Sequence, residues 1–97
     1  MEITIKEQTY KVKYSIRALF VFEQLAGKPF GLEKMMDFYI FYYAMILANN
    51  PDCNLLFDEF IDQCDENPEI SKQFQSYLED YFKKQSQLLP EESSKKK

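Results

Sequence analysis

The first residues of the chain alternate between hydrophobic and polar, which is the pattern of a half-buried β-hairpin. Ile3 and Ile5 are separated by Thr4, and the same alternation resumes at Tyr10. Because successive side chains of a strand point to opposite faces, this spacing gives the hairpin one apolar and one basic face. An isolated two-stranded hairpin is marginally stable in water, so we expect residues 2–14 to pack against other elements. The apolar face would comprise Ile3, Ile5, Tyr10, Val12 and Tyr14.

Four later segments show the spacing of amphipathic helices, and residues with strong capping preferences separate them. Ser15 and Gly27 bracket the first helix, because Ser is a favoured N-cap and Gly a favoured C′ residue. Pro51 ends the second helix, and Asn67 followed by Pro68 begins the fourth. The predicted helices span about residues 16–26, 32–49, 55–66 and 68–88.

These elements predict a single compact domain over residues 1–89. Its fold class is α+β and mostly helical, with the N-terminal β-hairpin packed on a bundle of about four helices. The chain has 97 residues, of which 45% are hydrophobic, so it can bury a core of its own. Residues 90–97 are polar and of low complexity, and we expect them to form a disordered tail.

The first two helices carry more apolar residues than one buried face requires. Ile16 and Phe20 lie outside the apolar arc of the first helix, so this helix contacts the core and also either the hairpin or a partner. In the second helix, Phe41, Ala44 and Ala48 share a strip whose small side chains permit close approach of another helix, within the domain or across an interface. We predict that these five residues form the partner-contact surface.

The composition excludes several classes of chemistry. The chain contains no His, so it has no imidazole base, and its two Cys are too few for a disulfide scaffold or a thiolate zinc site. The segment from Gly27 to Gly31 is not a phosphate-binding loop, because Pro29 lacks an N–H group. We therefore predict a protein that is not an enzyme, with no catalytic residue, no cofactor and no metal site.

The net charge of −4 and its distribution limit the partners. Nucleic-acid binding without sequence preference requires a concentrated basic surface, and the basic residues here form no stripe. Residues 50–71 contain seven acidic side chains and no basic one, which predicts either a solvated helix face or a docking face for a basic partner. The longest apolar run, residues 38–48, is shorter than the ~20 residues that span a bilayer, so we expect a soluble, cytoplasmic protein without membrane contact.

Three segments resemble the small tail assembly chaperones of long-tailed, siphovirus-like phages and prophages. They are YSIRALFVFEQLAGKPF at residues 14–30, ILANNP at residues 46–51 and FDEFID at residues 57–62, and the likeness covers roughly residues 3–88. The resemblance implies a non-enzymatic protein that keeps the apolar, helical tape-measure protein soluble in the host cytoplasm during tail assembly. It also implies self-association, the tail tube protein as a further candidate partner, and absence from the mature virion.

Two other functions stay open at the level of sequence. One is a small bacterial adaptor or regulatory domain that docks a basic partner through its acidic third helix. The other is a nucleic-acid-binding regulator that uses Lys6, Lys11, Lys13 and Arg17. Charge reversal on the third helix separates the adaptor from the chaperone, and steeply salt-dependent DNA binding would identify the regulator.

Overall fold

Within residues 1–88, two strands and four helices follow one another in the predicted order. The computed structural model describes residues 1–88, so the predicted tail at residues 90–97 and the predicted domain end at residue 89 lie outside the described residues. The strands are β1 (Glu2–Ile5) and β2 (Gln8–Lys11), and the helices are α1 (Ile16–Ala26), α2 (Met35–Asn49), α3 (Phe57–Glu66) and α4 (Pro68–Leu88). The prediction of a mostly helical α+β fold with an N-terminal hairpin is confirmed.

The hairpin turn contains two residues, and both have a left-handed backbone. Ile5 pairs with Gln8, and between them Lys6 and Glu7 have φ angles of 52° and 69°. This geometry matches the twist of the antiparallel strands, although Asn and Gly adopt it at lower cost than Lys and Glu. The regular strand ends at Lys11, so the predicted hairpin end at residue 14 is too late.

Side-chain amides at the C-terminal end of α2 bond to the outer edge of β2 and to the segment that follows it. The Asn50 side chain accepts a hydrogen bond from Lys11 N at 3.1 Å and donates one to Lys11 O at 2.8 Å. The Asn49 side chain donates to Lys13 O at 2.9 Å. Val12 still exchanges hydrogen bonds with Met1 at 2.7 Å, and beyond it Lys13 bonds to α2 and Tyr14 bonds to α4. The hairpin is thus held against the C-terminal end of α2.

Helices α1 and α4 begin, and α1 also ends, at the capping residues that the sequence predicts. The Oγ of Ser15 accepts a hydrogen bond from Ala18 N at 3.1 Å, and α1 ends at Gly27, whose φ of 71° is left-handed. The side chain of Asn67 accepts a hydrogen bond from Glu69 N at 3.2 Å at the start of α4. These caps satisfy backbone groups that would otherwise lack partners at helix ends, and both helices have their predicted bounds.

The predicted starts of α2 and α3 are too early, because acidic side chains bond back to the preceding backbone. The Asp37 carboxylate accepts hydrogen bonds from Glu33 N and Lys34 N at 2.9 and 3.0 Å. The Glu59 carboxylate accepts one from Leu56 N at 3.0 Å. Each carboxylate lies in the first turn of its helix and holds the residues before it in a capping loop, so these residues stay outside the helix.

Helix α2 is the central element, and aromatic rings join it to its neighbours. The Phe41 ring meets the Phe22 ring of α1 edge-on, with centroids 6.1 Å apart. The Tyr42 ring stacks on Phe74 of α4 at 4.0 Å and meets Phe60 of α3 at 4.9 Å. Neighbours on several sides explain why α2 is apolar nearly all round. The buried hydrophobic residues are Ile3, Ile5, Tyr10, Val12, Ala18, Phe22, Phe41, Tyr42, Tyr43, Ala44, Met45, Ile46, Leu55, Phe60, Cys64, Ile70, Phe74 and Leu78.

Candidate protein-binding surfaces

Several large hydrophobic side chains remain exposed, and most belong to α1 and α2 or to the loops beside them. Single exposed apolar residues are normal on a protein surface, whereas groups of them mark interaction sites. Two groups occur here, a groove between α1, α2 and α3 and a strip along α1. The exposed large hydrophobic residues are Ile16, Phe20, Leu25, Leu32, Met35, Met36, Leu56 and Phe82.

Four hydrophobic residues from three helices line a groove of about 210 Å³. Leu25 comes from α1, Ile40 and Tyr43 come from α2, and Phe57 comes from α3; we call this set the apolar groove. The rings of Tyr43 and Phe57 meet at 5.3 Å, and the Tyr43 hydroxyl donates a hydrogen bond to Leu55 O. Because that proton is already used within the fold, the groove presents a hydrocarbon surface.

Exposed side chains beside the apolar groove enlarge its hydrophobic surface. Met36 lies one turn before Ile40 on the same face of α2 and is 61% exposed. Leu56 directly precedes Phe57 and is 63% exposed, and Leu25 itself is 47% exposed. Met side chains are flexible and frequent on surfaces that accept partners of varying shape. The groove and its edges therefore form a candidate contact surface for an apolar partner.

Ile16 and Phe20 form the second group, which we call the outer α1 strip. They lie one turn apart on α1 and are 67% and 61% exposed, so the structure places both predicted contact residues on the surface. Tyr14, just before the strip, is partly buried: its ring stacks on Tyr81 at 4.4 Å and meets Phe82 edge-on at 6.3 Å. The outer α1 strip therefore begins where α4 packs against the segment that leads into α1.

The other three predicted contact residues do not join this surface. Phe41 and Ala44 are fully buried, and Ala48 is partly buried against the core. The Phe41 ring contacts the rings of Phe22 and Phe30 at 6.1 and 4.8 Å. The strip that carries Phe41 therefore packs within the domain, which is one of the two alternatives that the sequence leaves open. A side chain without exposed surface cannot touch a partner, so Phe41 and Ala44 are removed from the predicted contact surface.

A buried carboxylate near the start of α2 holds the α1–α2 loop in place. Asp37 is 3% exposed, and its Oδ2 accepts a hydrogen bond from Lys28 Nζ at 2.8 Å in addition to the bonds from Glu33 N and Lys34 N. The hydrogen bond from Lys28 is the main cause of a lowered pKa of Asp37, and the hydrogen bonds from the backbone add to it. Together they outweigh the effect of burial, which raises the pKa, and the pKa of Asp37 falls to about 2. Such a carboxylate is a poor proton acceptor, and its role is to hold the α1–α2 loop against the start of α2. Sequence reasoning missed it, and an Asp three residues into the helix is the signal that could have found it.

The exposed side of α3 carries carboxylates that form no ion pair within residues 1–88. Asp58, Asp62 and Asp65 are exposed, and no ion pair joins them to a basic side chain in the part of the chain that the structure describes. Glu59 differs, because its Oε2 lies 3.9 Å from Lys6 Nζ of the hairpin turn. Exposed charges of this kind contribute little to the stability of the fold. They are free to interact with a charged partner.

A larger depression lies between the N-terminus and α4, but most of its lining residues are polar, unlike those of the apolar groove. It measures about 540 Å³, and it is shallow and mostly rimmed by exposed polar side chains such as Glu69, Lys72 and Gln73. None of the exposed large hydrophobic residues lines it. Among the described depressions, the apolar groove is therefore the better candidate for a partner of low polarity.

Residue types that bind metals are dispersed in the described part of the chain. No group of three or more His, Cys, Asp or Glu side chains within residues 1–88 could hold a metal ion. Cys53 and Cys64 are both free, and burial raises the pKa of the Cys64 thiol to about 11, so this thiol stays protonated at neutral pH. Over the same residues, no helix combines the length and apolar character that crossing a membrane requires.

No protein-family model, curated protein or solved structure matches the chain. The apolar groove, the outer α1 strip and the exposed carboxylates of α3 are therefore the features on which a function can rest.

Proposed function

We propose that the chain is a protein-binding module of the tail assembly chaperone type, which covers apolar helical segments of a tape-measure protein until the tail tube encloses them. The observation that carries this proposal is the apolar groove, with exposed Leu25, Met36 and Leu56 at its edges. A hydrophobic concavity between helices suits an amphipathic helix, whose apolar residues recur at i, i+3, i+4 and i+7. The class of partner comes from the resemblance of residues 3–88.

The size and lining of the apolar groove favour side chains of another protein over a small molecule. Its volume of about 210 Å³ lies below the roughly 300–1,000 Å³ that is typical of small-molecule pockets. Such pockets also contain converging polar groups that orient the ligand, whereas hydrophobic residues line this groove. The groove therefore accommodates an apolar anchor of a helix better than it accommodates a metabolite.

The remaining parts of the proposal follow from the resemblance and from the surface of the protein. A net charge of −4 favours repulsion between complexes and so helps to keep a bound, aggregation-prone partner dispersed. The outer α1 strip, Ile16 and Phe20, offers a separate apolar surface through which copies of the chain would self-associate. The tail tube protein is a second candidate partner, and the protein acts in the host cytoplasm and is absent from the mature virion.

Co-expression with a tape-measure protein of a long-tailed phage tests the proposal. We expect the tape-measure protein to move from the pellet to the supernatant and to co-purify with the chain, because its apolar segments are then covered. An unrelated acidic protein of similar size is the control and should leave its solubility unchanged. If the tape-measure protein remains in the pellet when the chain is present, the proposal is wrong.

One observation favours a second function, an adaptor that docks a basic partner through α3. Asp58, Asp62 and Asp65 are exposed and lack ion pairs within the described residues. The double substitution Asp58→Lys and Asp62→Lys distinguishes the two functions. An adaptor would lose its partner altogether, whereas a partner held mainly by the apolar groove would still bind with reduced affinity, because its apolar contacts remain.

A further inference from the structure

We propose that the apolar groove binds one amphipathic helix whose apolar stripe is edged by lysine or arginine, with these basic side chains lying against the carboxylates of α3. The inference rests on the proposed function and specifies it in two respects. It assigns the partner to the groove rather than to the outer α1 strip, and it states the sequence character of the bound segment.

Together with Met36 at its edge, the groove offers a row of apolar side chains along which a helix can lie. Met36, Ile40 and Tyr43 follow one another at i, i+4 and i+7, so they form a row of about 10 Å along α2. Leu25 of α1 and Phe57 of α3 contribute the other lining residues, from the helices on either side of this row. A helix laid along the row meets it with its own apolar residues at the same spacing, which is the geometry of helix-in-groove recognition.

Helix α3, which contributes Phe57 to the groove, also carries exposed negative charge. Phe57 begins a row that continues through Ile61 to Asp65, at i+4 and i+8, and Asp58 and Asp62 form the neighbouring row. The three aspartates are exposed and have no ion pair within the described residues. Lys and Arg side chains lay their methylene stems on apolar surfaces and extend their charges to the edge. The α3 edge of the groove therefore complements a basic edge on the bound helix.

The basic side chain that follows α1 in the chain is already engaged. Lys28 follows Leu25 by three residues, and its Nζ lies 2.8 Å from the Asp37 carboxylate and 3.9 Å from that of Glu33. Its charge is thus balanced locally and does not offset the carboxylates of α3. The groove as a whole keeps its negative edge.

The same charges disfavour a second copy of the chain as the occupant. The chain carries a net charge of −4, and a second copy docked through its own groove would bring another set of Asp58, Asp62 and Asp65 toward the first set. Like charges at an interface weaken binding. A basic-edged helix of another protein meets the opposite charge at the same place.

Two designed peptides test the inference on the full chain. Both are amphipathic helices with the same leucine stripe, and the positions that edge the stripe are Lys in one peptide and Glu in the other. We expect the Lys-edged peptide to bind about tenfold more tightly, because each exposed charge pair contributes a small amount and three carboxylates are available. Fluorescence anisotropy of the labelled peptides measures the affinities, and added salt should reduce the difference between them.

Leu25→Glu is the groove variant, and Met35→Glu is its matched control. Leu25 lines the groove, whereas Met35 is 80% exposed on α2 and does not line it. We expect Leu25→Glu to weaken binding of the Lys-edged peptide about tenfold and Met35→Glu to change it by less than about twofold, since both add the same charge and only one removes a lining residue. Leu25→Ser repeats the test with a milder change, and circular dichroism shows that each variant is folded.

Equal binding of the two peptides, or unchanged binding to both Leu25 variants, overturns the inference. A dimer that Leu25→Ser converts to a monomer in sedimentation also overturns it, because a second copy then occupies the groove. A tape-measure protein kept soluble equally well by the wild-type chain and by Leu25→Ser overturns the groove assignment and leaves the proposed function standing. A tape-measure protein that stays insoluble with the wild-type chain instead contradicts the proposed function, whatever the peptides do.

Discussion

At the scale of single residues, the tyrosine hydroxyl groups illustrate how this protein buries polar atoms. The Tyr42 hydroxyl donates to Ile70 O at 2.9 Å, and the Tyr77 hydroxyl accepts a hydrogen bond from Tyr14 N at 2.9 Å. No buried side-chain nitrogen or oxygen within the described residues lacks a partner. An unpaired buried polar group costs about 1–3 kcal/mol, so these bonds allow a core rich in tyrosine to be stable.

Asp37 makes the stability of the fold depend on pH in the acid range. Its pKa is lowered from 3.8 to about 2 in the folded state, so between these values the unfolded chain binds more protons than the folded chain. The stabilisation from ionised Asp37 is complete above about pH 4 and is lost as the pH falls toward about 2. We expect Asp37→Asn to lower the melting temperature at neutral pH and to flatten its decline below about pH 4, measured by circular dichroism.

The control for this prediction is Asp58→Asn, which removes an exposed carboxylate that has no ion pair within the described residues and should leave the acid dependence unchanged. Lys28→Met removes the main cause of the shift and should raise the pKa of Asp37 toward 3.8 in an NMR titration. An unchanged pKa in Lys28→Met would contradict the role assigned to Lys28.

At the scale of elements, contacts at their ends decide how the strands and helices join. Asn50 binds both backbone polar groups of Lys11 and also donates to Ile46 O at 2.7 Å, so one side chain connects the last turn of α2 to the edge of β2. The Tyr77 hydroxyl binds the backbone between β2 and α1 to α4. These links span long stretches of sequence, and they position a hairpin that would be marginal alone.

Substitutions in the hairpin turn should increase the stability of the fold. Lys6 and Glu7 have left-handed backbones that Asn and Gly adopt readily, so Lys6→Asn with Glu7→Gly should raise the free energy of unfolding by about 1 kcal/mol. The exposed Lys6–Glu59 ion pair is lost in this variant, but such pairs contribute little. Urea denaturation measures the change.

Gln8→Gly is the matched control for the turn, because it places the same residue in β2, where the backbone is ordinary. It should lower the free energy of unfolding by about 0.5–1 kcal/mol. If the turn variant is also destabilised, the turn does not have the left-handed geometry described.

At the scale of the whole molecule, α4 stabilises the fold through aromatic contacts with α2. Phe74 is fully buried and its ring meets those of Phe38, Phe41 and Tyr42, with centroid distances of 5.1, 6.0 and 4.0 Å. Phe82, two turns further along α4, is 42% exposed, and its ring contacts those of Tyr14 and Tyr81. The first half of α4 thus contributes more of the core than the region around Phe82.

This difference predicts unequal effects of the same substitution in one helix. Phe74→Ala should lower the free energy of unfolding by about 3–5 kcal/mol, because it leaves a cavity between α2 and α4. Phe82→Ala is the matched control and should cost about 1 kcal/mol or less. Urea denaturation of both variants measures the costs, and equal costs would mean that α4 does not pack on α2 as described.

The order of the elements and several of their bounds were predictable, whereas the composition of the binding surface was not. Ser15, Gly27 and Asn67 mark helix ends through interactions with residues nearby in sequence, and the structure confirms them. Phe41 and Ala44 were predicted on a contact surface and are buried. Their helix is apolar nearly all round, so its periodicity contains no information about which side faces a neighbour.

The sequence by itself determined the local structure of this protein, namely the hairpin, the four helices and most of the helix bounds. It could do so because turn geometry, capping and hydrophobic periodicity act between residues a few positions apart. Only the tertiary structure decided where the apolar groove lies, since Leu25, Ile40 and Phe57 belong to three helices and meet through packing. Packing between distant segments depends on the combined shapes of many side chains, and no single segment of the chain specifies it.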